Sequence, residues 1–118
     1  MLTIIDCTSA HHFVWGGICD GWRLLDREDL SVIEELVPPG GKEEWHVHAR
    51  ARQLFYVLEG SALMRTEEGD VKLDRGTSVE IEPGVAHTFA NSGSGDVRLL
   101  IISSPASRGD RTTVPGRD

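Results

Sequence analysis

Residues 40–60 read GGKEEWHVHARARQLFYVLEG and contain the strongest indications of how the chain folds. Its two histidines, His46 and His48, lie one residue apart, and Gln53 follows them. Because alternate residues of a β-strand point to the same face, both imidazoles are predicted to project from one side of a strand. Two imidazoles on a rigid strand form half of a metal site. The apolar run Leu54–Leu58 predicts a second strand, which ends at a glycine.

Completion of this site depends on residues outside the histidine pair. If the second strand returns antiparallel to the first, Gln53 comes close to the pair. A further ligand must come from far along the chain, and His87, in the segment Ala86–Ala90, is the candidate. Three nitrogens and one oxygen leave coordination positions open, which is typical of a catalytic metal site rather than a closed structural one. Imidazole-rich ligation without thiolates suits Ni, Zn, Fe, Mn or Cu, so we expect one divalent transition metal from this group.

Short strand patterns, each closed by Gly, Pro or Asp, fill the rest of the chain. No segment shows a sustained apolar period of about 3.6 residues, which is typical of an amphipathic helix. Many short strands at even spacing indicate an all-β sandwich or barrel. The remaining predicted strands are Leu2–Ile5, Phe13–Trp15, Gly21–Leu25, Leu30–Val37, Ser61–Thr66, Val71–Leu73, Ser78–Ile81, Ala86–Ala90 and Val97–Ile102.

The size and composition of the chain limit the classes of protein it can belong to. Its 118 residues suit one domain, predicted over residues 1–104, with the polar residues 105–118 as a C-terminal arm or disordered end. The net charge of −7 argues against a nucleic-acid partner, because phosphate contacts need a basic surface. No apolar run approaches the ~20 residues of a membrane span, so no membrane is expected as a partner. The first residues lack the pattern of a signal peptide, and the expected location is therefore the cytoplasm.

The residues of the quoted stretch resemble the first of two sequence motifs of the cupin superfamily. That motif is G-x5-H-x-H-x3,4-E-x6-G, and its positions are occupied in register by Gly40, His46, His48, Gln53 and Gly60. One departure matters, because Gln stands where the family usually has Glu.

The second cupin motif, G-x5-P-x-G-x2-H-x3-N, is matched further along the chain. Its glycine, histidine and asparagine positions are occupied by Gly76, Gly84, His87 and Asn91, while Glu82 takes the proline position. The two motifs together cover a little under half of the chain. The resemblance implies a small single-domain jelly-roll barrel (a double-stranded β-helix), often a homodimer, with one divalent metal inside.

The amide of Gln53 changes the charge of the predicted site. A shell of three His and one Glu around a divalent ion has a net charge of about +1, whereas Gln leaves about +2. A neutral shell stabilises a ferric ion less and leaves the cation a stronger Lewis acid. We therefore expect Lewis-acid chemistry to be favoured over O2 chemistry. Some cupins that act on uronate-type sugars are similar in using Gln at this position.

Strand alternation predicts what else lines the pocket. Phe55 shares a face with Gln53, and Phe89 and Asn91 share a face with His87. These residues would make a partly apolar cavity beside the metal. The alternative for the two Phe residues is that they belong to the core.

Other side chains carry weaker indications. Glu44, two residues before His46, is predicted to share its face and is the candidate catalytic general base, the alternative being a solvated residue at the rim. Candidate anchors for an anionic substrate, otherwise surface charges, are Arg23, Arg52 and Arg98. Tryptophans that suit a pocket mouth, a dimer interface or the core are Trp15, Trp22 and Trp45.

Three functions are compatible with these observations. The first is an enzyme of the isomerase or lyase type that uses the metal as a Lewis acid on a small oxygen-rich substrate, a sugar acid or a keto compound. The second is a non-catalytic module that binds a small molecule or a metal. The third is a metal-dependent dioxygenase, which the neutral Gln53 disfavours. The fold alone does not separate them, because one fold supports many activities.

Overall fold

The computed structural model describes residues 1–115, and within them every regular element is a β-strand. No helix that could cross a membrane is therefore present in this part of the chain. The strands, in chain order, are β1 (His11–Trp15), β2 (Cys19–Asp26), β3 (Ser31–Val37), β4 (His46–His48), β5 (Arg52–Glu59), β6 (Ser61–Thr66), β7 (Gly69–Asp74), β8 (Ser78–Ile81), β9 (His87–Ala90), β10 (Val97–Ser104) and β11 (Arg111–Thr113).

The strands form two antiparallel sheets that pack face to face. One sheet has the order β1-β2-β3-β10-β5-β8, and the other has the order β11-β4-β9-β6-β7. The core lies between them, since its buried side chains come from both sheets, for example Val57 and Leu99 from the first and Met64 and Phe89 from the second. The architecture is the double-stranded β-helix, or jelly roll, and the predicted all-β class is confirmed.

Strand β10 illustrates how the sequence builds this core. Its buried residues, Val97, Leu99, Ile101 and Ser103, alternate with partly exposed ones. This period of two is expected for a strand with one face against a core. The strand lies between β3 and β5, and Ser103 pairs with Gln53 on one side. Because Gln53 is paired with the buried residue Ser103, its side chain also lies on the inner face of the sheet.

A glycine is required where β5 turns into β6. Gly60 has a φ of +86°, a conformation that other residues rarely adopt. A Cβ atom at this position would lie 2.4 Å from the backbone oxygen of Asp96. The position that the first motif reserves for glycine is thus one where the backbone conformation and a close approach both exclude a side chain.

The first residues of the chain differ from the sequence-based expectation, and part of the expected C-terminal arm forms a strand. The predicted strand Leu2–Ile5 is wrong: this segment forms no strand and its side chains are exposed. An apolar pattern forms a stable strand only when it pairs with a neighbouring strand and buries a face, and residues 2–5 do neither within the described part of the chain. Within the expected C-terminal arm, β11 pairs with β4 and extends the second sheet. The last three residues of that arm, 116–118, lie outside the described part of the chain.

Candidate metal centre

Three histidines come together on the inner face of the second sheet. His46 and His48 lie on β4, and His87 lies directly opposite His46 on the adjacent strand β9. The side chains are buried, with 2%, 5% and 0% of their surface exposed for His46, His48 and His87. One ring nitrogen of each residue can be chosen such that all three lie within 4.8 Å of one another. This cluster could hold a metal ion, as the sequence spacing predicted.

Backbone carbonyls orient two of these rings. The Nδ1 atom of His46 lies 2.7 Å from the carbonyl oxygen of Glu44, and the Nδ1 atom of His87 lies 2.9 Å from that of Val85. Because a carbonyl only accepts hydrogen bonds, Nδ1 carries the proton in both rings. Each Nε2 atom therefore presents a lone pair, which is the usual second-sphere arrangement of a metal-binding histidine.

Burial keeps the three imidazoles neutral. It lowers the pKa of His46 to about 3 and that of His87 to about 4, and it also lowers the pKa of His48. The hydrogen bonds from Nδ1 to the carbonyls of Glu44 and Val85 oppose this lowering in His46 and His87, and the neighbouring rings and Arg111 add a smaller lowering. Metal ligation needs unprotonated imidazole, so the cluster is in a ligating state at neutral pH.

Several polar atoms at the cluster have no hydrogen-bond partner within residues 1–115. They are Nε2 of His87, Nδ1 of His48 and Oε1 of Gln53. Leaving such an atom buried and unpaired costs about 1–3 kcal/mol. The amide of Gln53 is held by its other end, because Nε2 donates a hydrogen bond to Oγ of Ser103 at 3.1 Å. Lone pairs on imidazole nitrogen and on an amide oxygen are suitable donors for a divalent transition metal, so this donor set fits a metal ion.

The cluster opens into a cavity of about 450 Å³. Among its lining residues are His46, His48, Gln53 and Phe55, together with Trp15. The volume lies within the range of about 300–1,000 Å³ that is usual for small-molecule sites. His87 is fully buried and is not one of the lining residues. The charged lining residues are Arg23, Glu35, Lys42, Glu43, Glu44, Arg108 and Arg111.

Two acidic residues of this cavity were not singled out from the sequence. Oε2 of Glu43 lies 3.9 Å from Nε2 of His46, while its Oε1 accepts a hydrogen bond from the backbone N–H of Phe89 at 3.1 Å. Burial raises the pKa of Glu43 to about 7. Glu35, on β3, is 6% exposed. Burial is the main cause that raises the pKa of Glu35 well above its usual value, and the negative charge of Glu43 raises it further. The positive charge of Arg23 acts in the opposite direction.

Glu44, the general base expected from the sequence, lies at the edge of this site. Its side chain is exposed and belongs to the cavity lining, and its backbone carbonyl orients His46. The expectation assumed that strand alternation extends back through residue 44. In the structure β4 begins at His46, so the segment before it does not alternate. That is why Glu43 comes close to the imidazole instead.

The remaining sequence candidates are distributed between cavity, core and surface. Phe89 is buried and stacks on Phe55 with ring centroids 5.9 Å apart. Asn91 is also buried, and its amide donates hydrogen bonds to the carbonyls of Val37 and Gly95 at 2.9 and 2.8 Å. Neither Phe89 nor Asn91 is part of the cavity lining.

Of the candidate arginines and tryptophans, some line the cavity and others lie in the core or on the surface. Arg23 lines the cavity, with its guanidinium 4.7 Å from the centre of the Phe13 ring. Outside the cavity, Arg52 pairs with Glu80 and Arg98 pairs with Glu34. Trp15 lines the cavity, Trp45 is buried, and Trp22 packs against His12 on the first two strands.

The segment after β10 contributes to the site, which the sequence did not indicate. The carboxylate of Asp110 accepts hydrogen bonds from the backbone N–H groups of Ala49, Arg50 and Ala51 at 3.2, 3.0 and 2.8 Å. These bonds hold the segment against the turn that follows His48. As a result, four of its residues line the cavity: Ser107, Arg108, Gly109 and Arg111.

The fold and the site together are those of a small β-barrel protein that has a histidine cluster and an open cavity between its two sheets. Residues 33–103 match the family model described as a cupin domain. The chain belongs to the cupin family, as its two motifs predicted.

The chain is also similar in sequence to individual proteins. The chain is 31% identical over 75 residues to an uncharacterized protein of Methanocaldococcus jannaschii, a match that covers 64% of this chain and 60% of that protein. It is 27% identical over 78 residues to the HTH-type transcriptional regulator PuuR of Escherichia coli, covering 66% of this chain and 42% of the regulator. The chain thus spans between 42% and 60% of the length of these relatives.

Among solved structures, the polyketide cyclase RemF of Streptomyces resistomycificus has the same fold. It superposes with a TM-score of 0.83 at 19% identity, and the match covers 100% of this chain and 89% of RemF. At this level of identity the similarity concerns the fold.

Proposed function

We propose that the protein is a metal-dependent enzyme in which His46, His48, His87 and Gln53 hold one divalent transition metal. The observation that carries the proposal is that three of these residues have a buried nitrogen or oxygen atom without a hydrogen-bond partner within residues 1–115, beside a cavity of about 450 Å³. When bound, such a metal supplies Lewis-acid chemistry, that is, it polarises a carbonyl or hydroxyl oxygen of a substrate. The proposed substrate is a small oxygen-rich molecule such as a sugar acid or a keto compound, and the proposed reaction is an isomerisation or a lyase reaction.

The protein's own residues would orient this substrate and exclude water from it. Phe55, Ile33 and Ile101 form an apolar part of the cavity wall. Trp15 lines the wall as well, and its buried Nε1–H has no partner within residues 1–115. A buried donor of this kind is suited to a substrate oxygen, because it is otherwise left unsatisfied.

Isomerase and lyase reactions also need a group that moves a proton. The proposed residue is Glu43, because Oε2 is the oxygen close to His46 while Oε1 is held by the backbone N–H of Phe89. Glu44 is the alternative, but its side chain is exposed. A carboxylate that is fixed at one oxygen and open at the other is positioned to take a proton from carbon or oxygen and return it.

The test of the function is a metal assay followed by a screen for turnover. Protein purified without an affinity tag should contain about one equivalent of a divalent transition metal, and it should convert a member of a panel of small sugar acids and keto compounds. Protein with no metal content after growth or refolding in any of the five candidate metals would contradict the proposal.

Exchange of Glu43 for glutamine is expected to lower turnover by roughly 10²- to 10⁴-fold, because the amide cannot move a proton. Metal content should be unchanged, since Glu43 lies beside the histidine cluster and is not a member of it. The matched control is Glu44→Gln, which removes the neighbouring charge and should retain most of the activity. If Glu44→Gln were the inactive variant, the exposed carboxylate would be the proton-transferring group instead.

Exchange of Gln53 for glutamate is expected to tighten the binding of Co²⁺ or Zn²⁺ by roughly tenfold or more, because a carboxylate replaces a neutral amide oxygen. The same change should lower Lewis-acid turnover, since the cation is then less electron-poor. Titration calorimetry and the turnover assay measure the two effects. Unchanged affinity together with unchanged turnover would remove Gln53 from the proposed ligand set.

A non-catalytic binding module is the second candidate. The similarity to the regulator PuuR favours it, because the match covers 66% of this chain. Saturable binding of a small molecule, with no turnover under any of the candidate metals, would support this candidate. Consumption of O2 by the Fe²⁺-loaded protein would support a dioxygenase.

Three expectations from the sequence stay predictions. They are the homodimer, the cytoplasmic location, and the division into a domain of residues 1–104 and a following arm.

A further inference from the structure

We propose that Arg111 binds a carboxylate of the substrate, so that the protein acts on small organic anions and β11 forms part of the binding site. This inference deepens the proposed function and rests on it for the identity of the site. The inference itself is argued from three observations: the register of β11, the absence of a carboxylate oxygen within 4.0 Å of the Arg111 guanidinium among residues 1–115, and the hydrogen bonds that anchor the strand on both sides.

The register of β11 directs Arg111 towards the cavity. Arg111 lies directly opposite His48 in the antiparallel pair of β11 and β4. Residues directly opposite one another in such a pair have side chains on the same face. His48 points to the inside of the barrel, so Arg111 lies on the inner side as well, and it is one of the residues that line the cavity.

The cavity brings Arg111 and the predicted ligands into one space. Arg111, His46, His48 and Gln53 all line the cavity. Arg111 pairs with His48, and His48 and His46 lie on the same strand, β4. An anion bound to Arg111 would therefore lie in the same cavity as the proposed metal position.

Arg111 has no ion pair with a carboxylate within residues 1–115. Among residues 1–115, no carboxylate oxygen lies within 4.0 Å of its guanidinium, whereas Arg108 is paired with Asp26. Its side chain is accessible from the cavity. The planar guanidinium has paired donors that match the two oxygens of a carboxylate. The cavity lining holds four basic and three acidic side chains, so its balance of charge differs from that of the chain as a whole, whose net charge is −7.

The position of Arg111 is well defined although it lies close to the C-terminus. Asp110, the residue before it, is held by three backbone N–H groups of the turn 49–51. After β11, the N–H of Val114 donates a hydrogen bond to the carbonyl of Trp45 at 2.9 Å. Arg111 is thus fixed on both sides to the segment that carries the histidine pair. A fixed cation binds an anion with less loss of conformational entropy than a mobile one.

The test uses malonate as the anionic probe and malonamide as its neutral counterpart. Both are titrated by calorimetry into Zn²⁺-loaded and metal-free protein, in wild type, Arg111→Gln and Arg111→Lys. Arg75→Gln is the matched control, because Arg75 is exposed and lies outside the cavity lining. Circular dichroism and metal analysis establish that each variant is folded and loaded as the wild type is.

Arg111→Gln is expected to weaken malonate binding by roughly tenfold or more, with a smaller loss in Arg111→Lys, which keeps the charge but not the paired donors. Malonamide binding and metal content should be unchanged, and Arg75→Gln should behave as wild type. The proposal is overturned by equal malonate affinity in wild type and Arg111→Gln, by an equal loss in Arg75→Gln, or by no malonate binding at millimolar concentration.

The outcome separates this proposal from the proposed function. If malonate binding depends on Arg111 in a protein that holds no metal and turns nothing over, the anion site stands and the enzyme proposal fails. If the protein is metal-loaded and active but malonate binding is independent of Arg111, the anion site fails and the enzyme proposal stands.

Discussion

Replacing His87 with alanine should abolish tight binding of a divalent cation. His87 is fully buried, its Nδ1 is held by the carbonyl of Val85, and its Nε2 has no partner within residues 1–115. Loss of a second-sphere partner typically costs 10- to 100-fold in metal affinity, so loss of a donor atom should cost roughly 100-fold or more. Metal analysis after dialysis and calorimetric titration with Zn²⁺ measure the effect.

The stability of the His87→Ala variant gives an independent measurement. A ligand at about 100 times its dissociation constant stabilises the folded state by about 2.7 kcal/mol. Zn²⁺ should therefore raise the melting temperature of the wild type and leave that of the variant almost unchanged. His12→Ala is the control, since His12 is exposed and hydrogen-bonded to Asp20 away from the cavity. A His87→Ala protein with the metal content of the wild type would show that the cluster is not the metal site.

Replacing Asp110 with alanine is expected to destabilise the fold by about 2–4 kcal/mol, which corresponds to a fall in melting temperature of roughly 8–16 °C. The side chain is 5% exposed and its carboxylate accepts three backbone hydrogen bonds. Without it, the N–H groups of the turn 49–51 lose their acceptor, and β11 loses its attachment to that turn. Asp70→Ala, at an exposed ion pair with Arg65, is the control and should change stability by less than about 1 kcal/mol.

The contribution of Asp110 should also depend on pH. Burial acts to raise its pKa, but the hydrogen bonds from Ala51, Arg50 and Ala49 and the charge of Arg50 outweigh it, so the pKa lies below the ordinary 3.8. A depressed carboxyl pKa stabilises the fold above the unfolded value, and this contribution is lost as the pH falls through the folded value. The difference in unfolding free energy between wild type and Asp110→Ala should therefore be constant near neutral pH and shrink below about pH 4. A difference that grows on acidification would contradict this assignment.

Asp110 and Arg111 together give the C-terminal segment a role that its composition does not indicate. One residue attaches the segment to the turn after the histidine pair, and the next lines the cavity. The Asp110 and Arg111 variants are therefore expected to change different properties of the protein. Asp110→Ala should change stability first, whereas Arg111→Gln should change anion binding in a protein of ordinary stability.

Local pattern was sufficient to predict the fold class and the histidine cluster. The spacing of His46 and His48 requires only that a strand alternates, and β4 does so. The period of two in Val97–Ser104 and the turn glycine at Gly60 are local properties as well. The two motifs then indicated the family, since they record which positions of this fold require a glycine, a histidine or an asparagine.

Tertiary structure decided which other residues reach the histidines. Whether Glu43 or Glu44 faces His46 depends on where β4 begins, and that depends on the bonds from residue 43 to β9. Leu2–Ile5 has the composition of a strand but pairs with no other strand within residues 1–115, while Arg111–Thr113 is polar and becomes a strand because it pairs with β4. Pairing between distant strands is a property of the whole chain, because an edge exists only after the rest of the sheet has formed. The sequence was thus sufficient to predict the barrel and its three imidazoles. Only the folded chain showed that the carboxylate of Glu43 and the guanidinium of Arg111 lie in the same cavity.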